Sequence, residues 1–206
     1  MTLNAKDKHL TVISSATATG DIESLKTYLA SALNDGVTIN ELKELLVQLY
    51  AYCGFPRSLN GLGALYALLE SRREQGIQDA EGVTPNALPT DKSRFALGDA
   101  VQQELVGRPV SGPVLTFAPA IDTFLKEHLF ADIFLRGVLT YQEREVITIA
   151  ALASIGVASQ LNSHIRIGMN VGLTSKMVAA IADTLKQIDE QSAAKLIYAS
   201  LDTLSS

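Results

Sequence analysis

The chain has 206 residues, with 17 Lys and Arg against 22 Asp and Glu and a formal net charge of −5 at pH 7. With 47% hydrophobic and only 19% charged residues it is too apolar for a disordered or tail-like protein, so a sizeable core is expected, in one domain or two small ones. No cationic cluster is longer than Arg72-Arg73, which argues against a phosphate-backbone footprint and a nucleic-acid partner.

The apolar spacing from Lys6 to Arg73 is helical, as in Leu42, Leu45, Leu46, Leu49 and Tyr50, and strand-like alternation is hard to find. Gly20-Asp21, Asp35-Gly36, Thr38 and Gly54-Phe55-Pro56 are helix stops and starts. They predict four helices over about 5–18, 22–35, 39–53 and 57–75. Residues 76–92 hold Gly76, Gly82, Pro85 and Pro89 without an apolar period and read as a surface linker. A helix over about 94–106 follows, then an irregular stretch from Gly107 to Pro119, with helical character resuming from Ile121 to Phe134. The remainder, from about 141 to 204, reads as a further series of helices.

Sliding the chain by 136 positions lays Asn34-Asp35-Gly36-Val37-Thr38 on Asn170-Val171-Gly172-Leu173-Thr174, and Leu45 and Leu49 on Ile181 and Leu185. Cap residues and apolar phase agree, so a duplicated all-α unit is expected, with repeats over 1–75 and 118–206 and an irregular linker carrying one helix over 76–117.

The segment from Met1 to Lys8 has no apolar signal core. The most apolar stretch, Val146 to Ala158, is interrupted by Thr148 and Ser154 and too short to span a bilayer. The expectation is a cytoplasmic protein with no membrane partner. Cys53 is the sole cysteine, which leaves no intrachain disulfide, redox thiol pair or thiolate zinc cage within one chain.

Glu145 on one helix and His164 on the next can meet across a helical hairpin broken at Gly156, whereas the equivalent positions of the first half are His9 and Tyr28. A carboxylate beside a histidine fixes the imidazole tautomer and favours its protonated form, the usual arrangement of a general acid or base. From spacing alone, such a pair is more often a surface or structural one than a catalytic one.

Glu145 to Ala153, followed by Gln160-Leu161, His164, Arg166 and Gly168-Met169-Asn170 with Gly172-Leu173-Thr174, resembles the core helical hairpin of the carboxymuconolactone decarboxylase family. The lead-in from Ala118 to Asp122 and from His128 to Phe134 is similar too, as is the first-half run from Ala32 to Pro56. The resemblance implies an alkylhydroperoxidase-like helical fold in two copies. Since single-repeat members assemble as hexamers, it also implies a homotrimer.

Alkylhydroperoxidase relatives, for which peroxiredoxin activity is the family-level expectation, read Glu-x11-Cys-x2-Cys-x3-His. In this chain that register gives Glu145, Val157, Gln160 and His164, so the outer pair matches and both cysteines are replaced. Without a thiolate there is no sulfenic acid to form or recycle. Cys53, alone at the end of an apolar helix, reads as a buried packing residue.

What the resemblance then implies is cofactor-independent decarboxylation of a small lactone carboxylate, with His164 as proton donor oriented by Glu145. The lactone carbonyl is itself the electron sink, so neither a metal nor an organic cofactor is expected. Arg57, Arg166 and Arg136 are candidate carboxylate clamps, each otherwise a solvated surface cation. Gln160, Tyr50 and Tyr52 are candidate pocket residues, although aromatic residues near a helix end, as the tyrosines are, more often pack in the core, and His128 could close the site from another helix or subunit. Hydroperoxide reduction and a non-catalytic binding trimer are the alternative functions.

Overall fold

A computed structural model describes residues 2–205, and the Ser205 side chain is outside that description. Among the described residues there are helices and no strands. The helices are α1 (Ala5–Thr19), α2 (Ile22–Asn34), α3 (Ile39–Cys53), α4 (Phe55–Glu74), α5 (Arg94–Val106), α6 (Pro113–Phe117), α7 (Pro119–Thr123), α8 (Tyr141–Ser154), α9 (Ala158–Asn170), α10 (Ser175–Gln187) and α11 (Gln191–Ser205). Between α7 and α8 lie a π-helix (Phe124–Ile133) and a 3₁₀ turn (Phe134–Arg136).

The ends of these helices follow from local chemistry. Asn4, Thr38 and Thr140 each accept a hydrogen bond from the backbone three residues on, while Asp7, Glu41 and Glu143 bond back to them. These capping boxes satisfy amide donors that a helix start otherwise leaves unpaired. At the end of α1, Gly20 takes a φ of 80°, where a β-carbon would be strained, and this turns the chain into Asp21, which caps α2.

The starts of α1, α2, α3 and α4 and those of α8, α9, α10 and α11 are related residue for residue by the same shift of 136, from Ala5 and Tyr141 through Phe55 and Gln191. Both sets contribute to one continuous core, from Leu10, Ile13 and Leu45 to Ile149, Ile181 and Ile197. Each fully buried Leu or Ile is worth roughly 1.5–3 kcal/mol, so this shared core ties the two sets of helices together. The corresponding helices α1 and α8 pack on each other at the centre. Their small residues allow close approach: Ser14, Ser15, Ala16 and Ala18 of α1 and Ala150, Ala151 and Ala153 of α8 are buried, and Ser154 Oγ donates to Ser15 Oγ at 2.8 Å.

The stretch after α4 is irregular and mostly exposed, yet it is pinned. Arg72 holds Asp79 through two hydrogen bonds of 2.8 and 2.7 Å. The carbonyls of Ala80 and Glu81 accept from the amides of Ile39 and Asn40, the free donors of the first turn of α3. Asn86 N then donates to Arg136 O at 2.8 Å.

The segment read as an ordinary helix from Ile121 to Phe134 is a π-helix over most of its length. Its Leu129, Phe130 and Ile133, with Phe134 of the 3₁₀ turn, form a second core with Val101 and Leu105 of α5. The two backbones almost touch: a β-carbon at Gly98 would lie 1.6 Å from Lys126 O. No helix among the described residues is long and apolar enough to cross a membrane.

Candidate active site

The helices α8 and α9 form a hairpin that brings His164 Nδ1 to 2.8 Å from Glu145 Oε2. Glu145 is fully buried, with its Oε1 unpaired, whereas His164 keeps a small exposed edge. A carboxylate at Nδ1 leaves the other ring nitrogen, Nε2, for whatever occupies the space beyond. That space is a pocket of about 740 Å³ lined by Ala51 and Tyr52 from α3, Gln102 and Val106 from α5, Leu125, Leu129 and Phe130 from the π-helix, and Gln160, His164, Arg166 and Ile167 from α9. Arg108, in the turn after α5, stands at its edge. Asn170 Nδ2 donates to the carbonyls of Leu105 and Val106, both at 3.1 Å, and so fixes α9 against the end of α5.

Behind His164 runs a buried polar seam between α3 and α8. Glu44, Gln48 and Tyr52 recur every fourth residue along α3 and therefore share a face. Glu44 Oε2 accepts from Arg144 Nη2 at 3.3 Å and its Oε1 from Arg136 Nε at 2.8 Å. Gln48 accepts from Arg144 Nη1 at 2.9 Å and donates to Arg144 O and Thr148 Oγ1, both at 2.9 Å. Burial draws the Arg144 guanidinium below its ordinary pKa, and Glu44 counters that pull. The last member of the row, Tyr52, meets the His164 ring edge to face, with its hydroxyl buried. Burial, and then the Glu145 charge, push that phenol upward, so it stays neutral.

Of the residues singled out from sequence, the fold gathers His164, Glu145, Tyr52, Gln160 and Arg166 at one site. Four others lie elsewhere. Arg136 is bound to Glu44 on the far side of the seam, against a smaller cavity lined by Lys43, Tyr66 and Pro85. The Arg57 guanidinium lies over Gly20 at the end of α1, with Nη1 buried and unpaired. Tyr50 stacks on Phe55 at 4.3 Å between ring centroids. His128 is exposed, its Nδ1 3.0 Å from Asp132 and its ring 5.4 Å from Tyr50. Arginines and aromatics near helix ends carry no signature of the direction they face, and here three-dimensional packing turns these four away from the pocket.

The residues that sequence reading missed are Gln102 and Arg108. Gln102 left a trace: it interrupts the buried stripe Gly98, Val101, Leu105 of α5 with an amide. Arg108 left none. The two positions taken by cysteines in alkylhydroperoxidases hold Val157, at the N-terminal boundary of α9, and Gln160 one turn before His164. The Cys53 thiol is not in the pocket wall; it donates to Leu49 O at 3.1 Å, and burial pushes its pKa upward, away from thiolate. Among the described residues no group of three His, Cys, Asp or Glu is placed to hold a metal ion.

A family model described as the carboxymuconolactone decarboxylase family matches residues 2–67 and 119–195, well over half of the chain in two separate blocks. The chain belongs to this family. A search of curated proteins returns no match. As a two-block member of the carboxymuconolactone decarboxylase family, the chain has an all-α, alkylhydroperoxidase-like fold, and the Glu145–His164 hairpin falls inside the second block.

Proposed function

We propose that the protein is a cofactor-independent decarboxylase of a small unsaturated lactone carboxylate, with His164 as the proton donor. The observation that carries this reading is the 2.8 Å contact between His164 Nδ1 and a fully buried Glu145, with the ring forming part of the wall of a pocket. In the step itself the carboxylate leaves as carbon dioxide, and its bonding pair passes through the ring double bond onto the lactone carbonyl oxygen. The ring carbon then takes the proton from Nε2 of the imidazolium, the carbonyl re-forms, and water returns a proton to the imidazole. Glu145 holds the ring in the tautomer that points Nε2 inward and balances its charge. Arg166, with no carboxylate partner among the described residues, holds a second carboxylate of the substrate, and the apolar wall of Leu129 and Phe130 favours departure of neutral carbon dioxide over retention of its anion.

On this reading the protein acts in the cytoplasm as a homotrimer of two-repeat chains, the repeats spanning 1–75 and 118–206. The test is carbon dioxide release from unsaturated lactone carboxylates by the wild type, His164→Ala and Cys53→Ser. Turnover that is lost in His164→Ala and kept in Cys53→Ser supports the proposal, and no release from any such lactone sinks it. Thiol-dependent consumption of hydroperoxides that disappears in Cys53→Ser would instead favour a peroxidase.

A further inference from the structure

Gln102 is 4% exposed, its carboxamide hydrogen-bonds to no described residue, and its Oε1 is buried without a partner. A buried amide left unpaired is costly to keep in a fold, and those that persist call for a partner that arrives later. Gln102 lies in the same pocket wall as His164, so a molecule bound in the pocket can supply that partner. Its amide can turn to present N–H, which matches the need of the proposed reaction for a donor at the carbonyl oxygen where charge develops.

The pocket also exceeds what a bare lactone ring requires. Its volume of about 740 Å³ falls within the roughly 300–1,000 Å³ of sites that enclose drug-sized ligands. The pocket is lined both by Arg108 and Arg166, neither of them ion-paired among the described residues, and by Leu129 and Phe130 of the π-helix, which belong to the second core. In a chain of net charge −5, two unpaired arginines at one pocket select an anion.

We propose that this site takes a lactone carboxylate bearing a sizeable apolar substituent, its carbonyl read by Gln102, its carboxylate by the two arginines and its apolar arm by the π-helix wall. The proposal rests on the reading of the site as a decarboxylase pocket and names its substrate class. It gives the π-helix a role, because the wide turn is what sets Leu125, Leu129 and Phe130 together on one wall.

Paraconate, a saturated lactone carboxylate, and its octyl-substituted derivative provide the test, since a saturated ring has no conjugated electron sink and reports binding without turnover. Calorimetric titration of the wild type is expected to show the octyl ligand binding at least about tenfold more tightly than paraconate. In Gln102→Met both affinities are expected to fall about three- to tenfold, while the melting temperature stays level or rises because an unpaired polar group has been removed. A merely structural glutamine predicts the opposite, a loss of melting temperature in both Gln102→Met and Gln102→Leu, and that result would overturn the assignment. Equal affinity for the two lactones, no binding of the octyl lactone, or unchanged affinity in Gln102→Met would also overturn it. An octyl lactone that binds as expected, in a protein that decarboxylates no unsaturated lactone, refutes the decarboxylase and leaves this pocket assignment standing. Turnover of an unsubstituted lactone without preference for the octyl ligand does the reverse.

Discussion

Tyr52 meets His164 edge to face, with ring centroids 5.4 Å apart and planes at 79°. The tyrosine comes from α3 in the first block of the family match and the histidine from α9 in the second, so the site is assembled across the two halves of the chain. Glu145 and Tyr52 thus hold the imidazole from two sides, one by a hydrogen bond and one by ring packing.

His164→Ala is expected to lower decarboxylation about 10²- to 10⁴-fold, the usual contribution of a general acid, and to lower the melting temperature as well, because Glu145 is left buried without its partner. Glu145→Gln keeps a hydrogen-bonding group beside Nδ1 but removes the balancing charge, and is expected to reduce kcat with a smaller effect on KM. Steady-state kinetics and thermal melts of both variants check this; full activity in His164→Ala contradicts it.

The buried pair Glu44 and Arg144 bears on stability. Glu44→Ala leaves the Arg144 guanidinium buried with its charge uncompensated, at an expected cost of about 3–5 kcal/mol. Replacing both, as Glu44→Leu with Arg144→Met, is expected to cost less than the two single changes added together. Urea denaturation of the three variants measures the difference, and strict additivity would show that the pair is not coupled.

Lys6 bridges the capping carboxylates of α3 and α8, pairing with Glu41 and lying 2.6 Å from Glu143. For Glu41, burial acts upward on the pKa, but hydrogen bonds from Lys6 and Thr38 outweigh it and hold the carboxyl below its ordinary 4.5. Its contribution to stability is therefore present above that value and lost as pH falls through the folded-state pKa. For Lys6, burial acts downward, and Glu143 and Glu41 outweigh it, so the ammonium lies above its ordinary 10.5. That contribution is complete below 10.5 and lost as pH rises through the folded-state value. Melting temperature is expected to be flat between about pH 5 and 10 and to decline on both flanks, with both declines shallower in Lys6→Met. A variant profile merely parallel to the wild type argues against the triad.

Gly98→Ala tests the contact between α5 and the π-helix. Its β-carbon would meet the Lys126 carbonyl at 1.6 Å, so one backbone must move. The expected outcome is a destabilisation of about 1–3 kcal/mol or more and loss of ligand binding in the pocket that both elements line. An unchanged melting temperature would show that the two elements separate readily.

Self-association is expected from α4, where Phe55, Leu59 and Tyr66 are 62%, 60% and 68% exposed along one side. The equivalent positions of α11 hold Gln191, Lys195 and Asp202, so the apolar stripe belongs to one set of helices only. Light scattering should give a mass near three times 22.1 kDa, and Leu59→Glu should shift it downward. A monomeric wild type contradicts this.

The sequence by itself determined most of the helices and their order, because their starts and stops are written in a few adjacent residues. The stretch from Gly107 to Pro119, read as irregular, instead holds the short helix α6 (Pro113–Phe117), a second helix in the linker beside α5. Thr38 with Glu41 opens α3, Gly20 with Asp21 turns α1 into α2, and Ser93 and Gly107 bound α5. The sequence also placed Glu145 and His164 on adjacent helices of one hairpin, where they can meet; the 2.8 Å contact itself comes from how α8 packs on α9. Only the tertiary structure decided which cations and aromatics face the pocket. Arg136 and Arg166 look alike in sequence, but the buried Glu44 carboxylate, 92 residues from Arg136, holds one on the far side of the seam. The change from α- to π-helix after Thr123 and the unpaired amide of Gln102 depend on how α5 lies across that segment. Helix propensity and capping act within a turn or two of the chain, whereas side-chain direction and the pairing of buried polar groups are settled by elements distant in sequence.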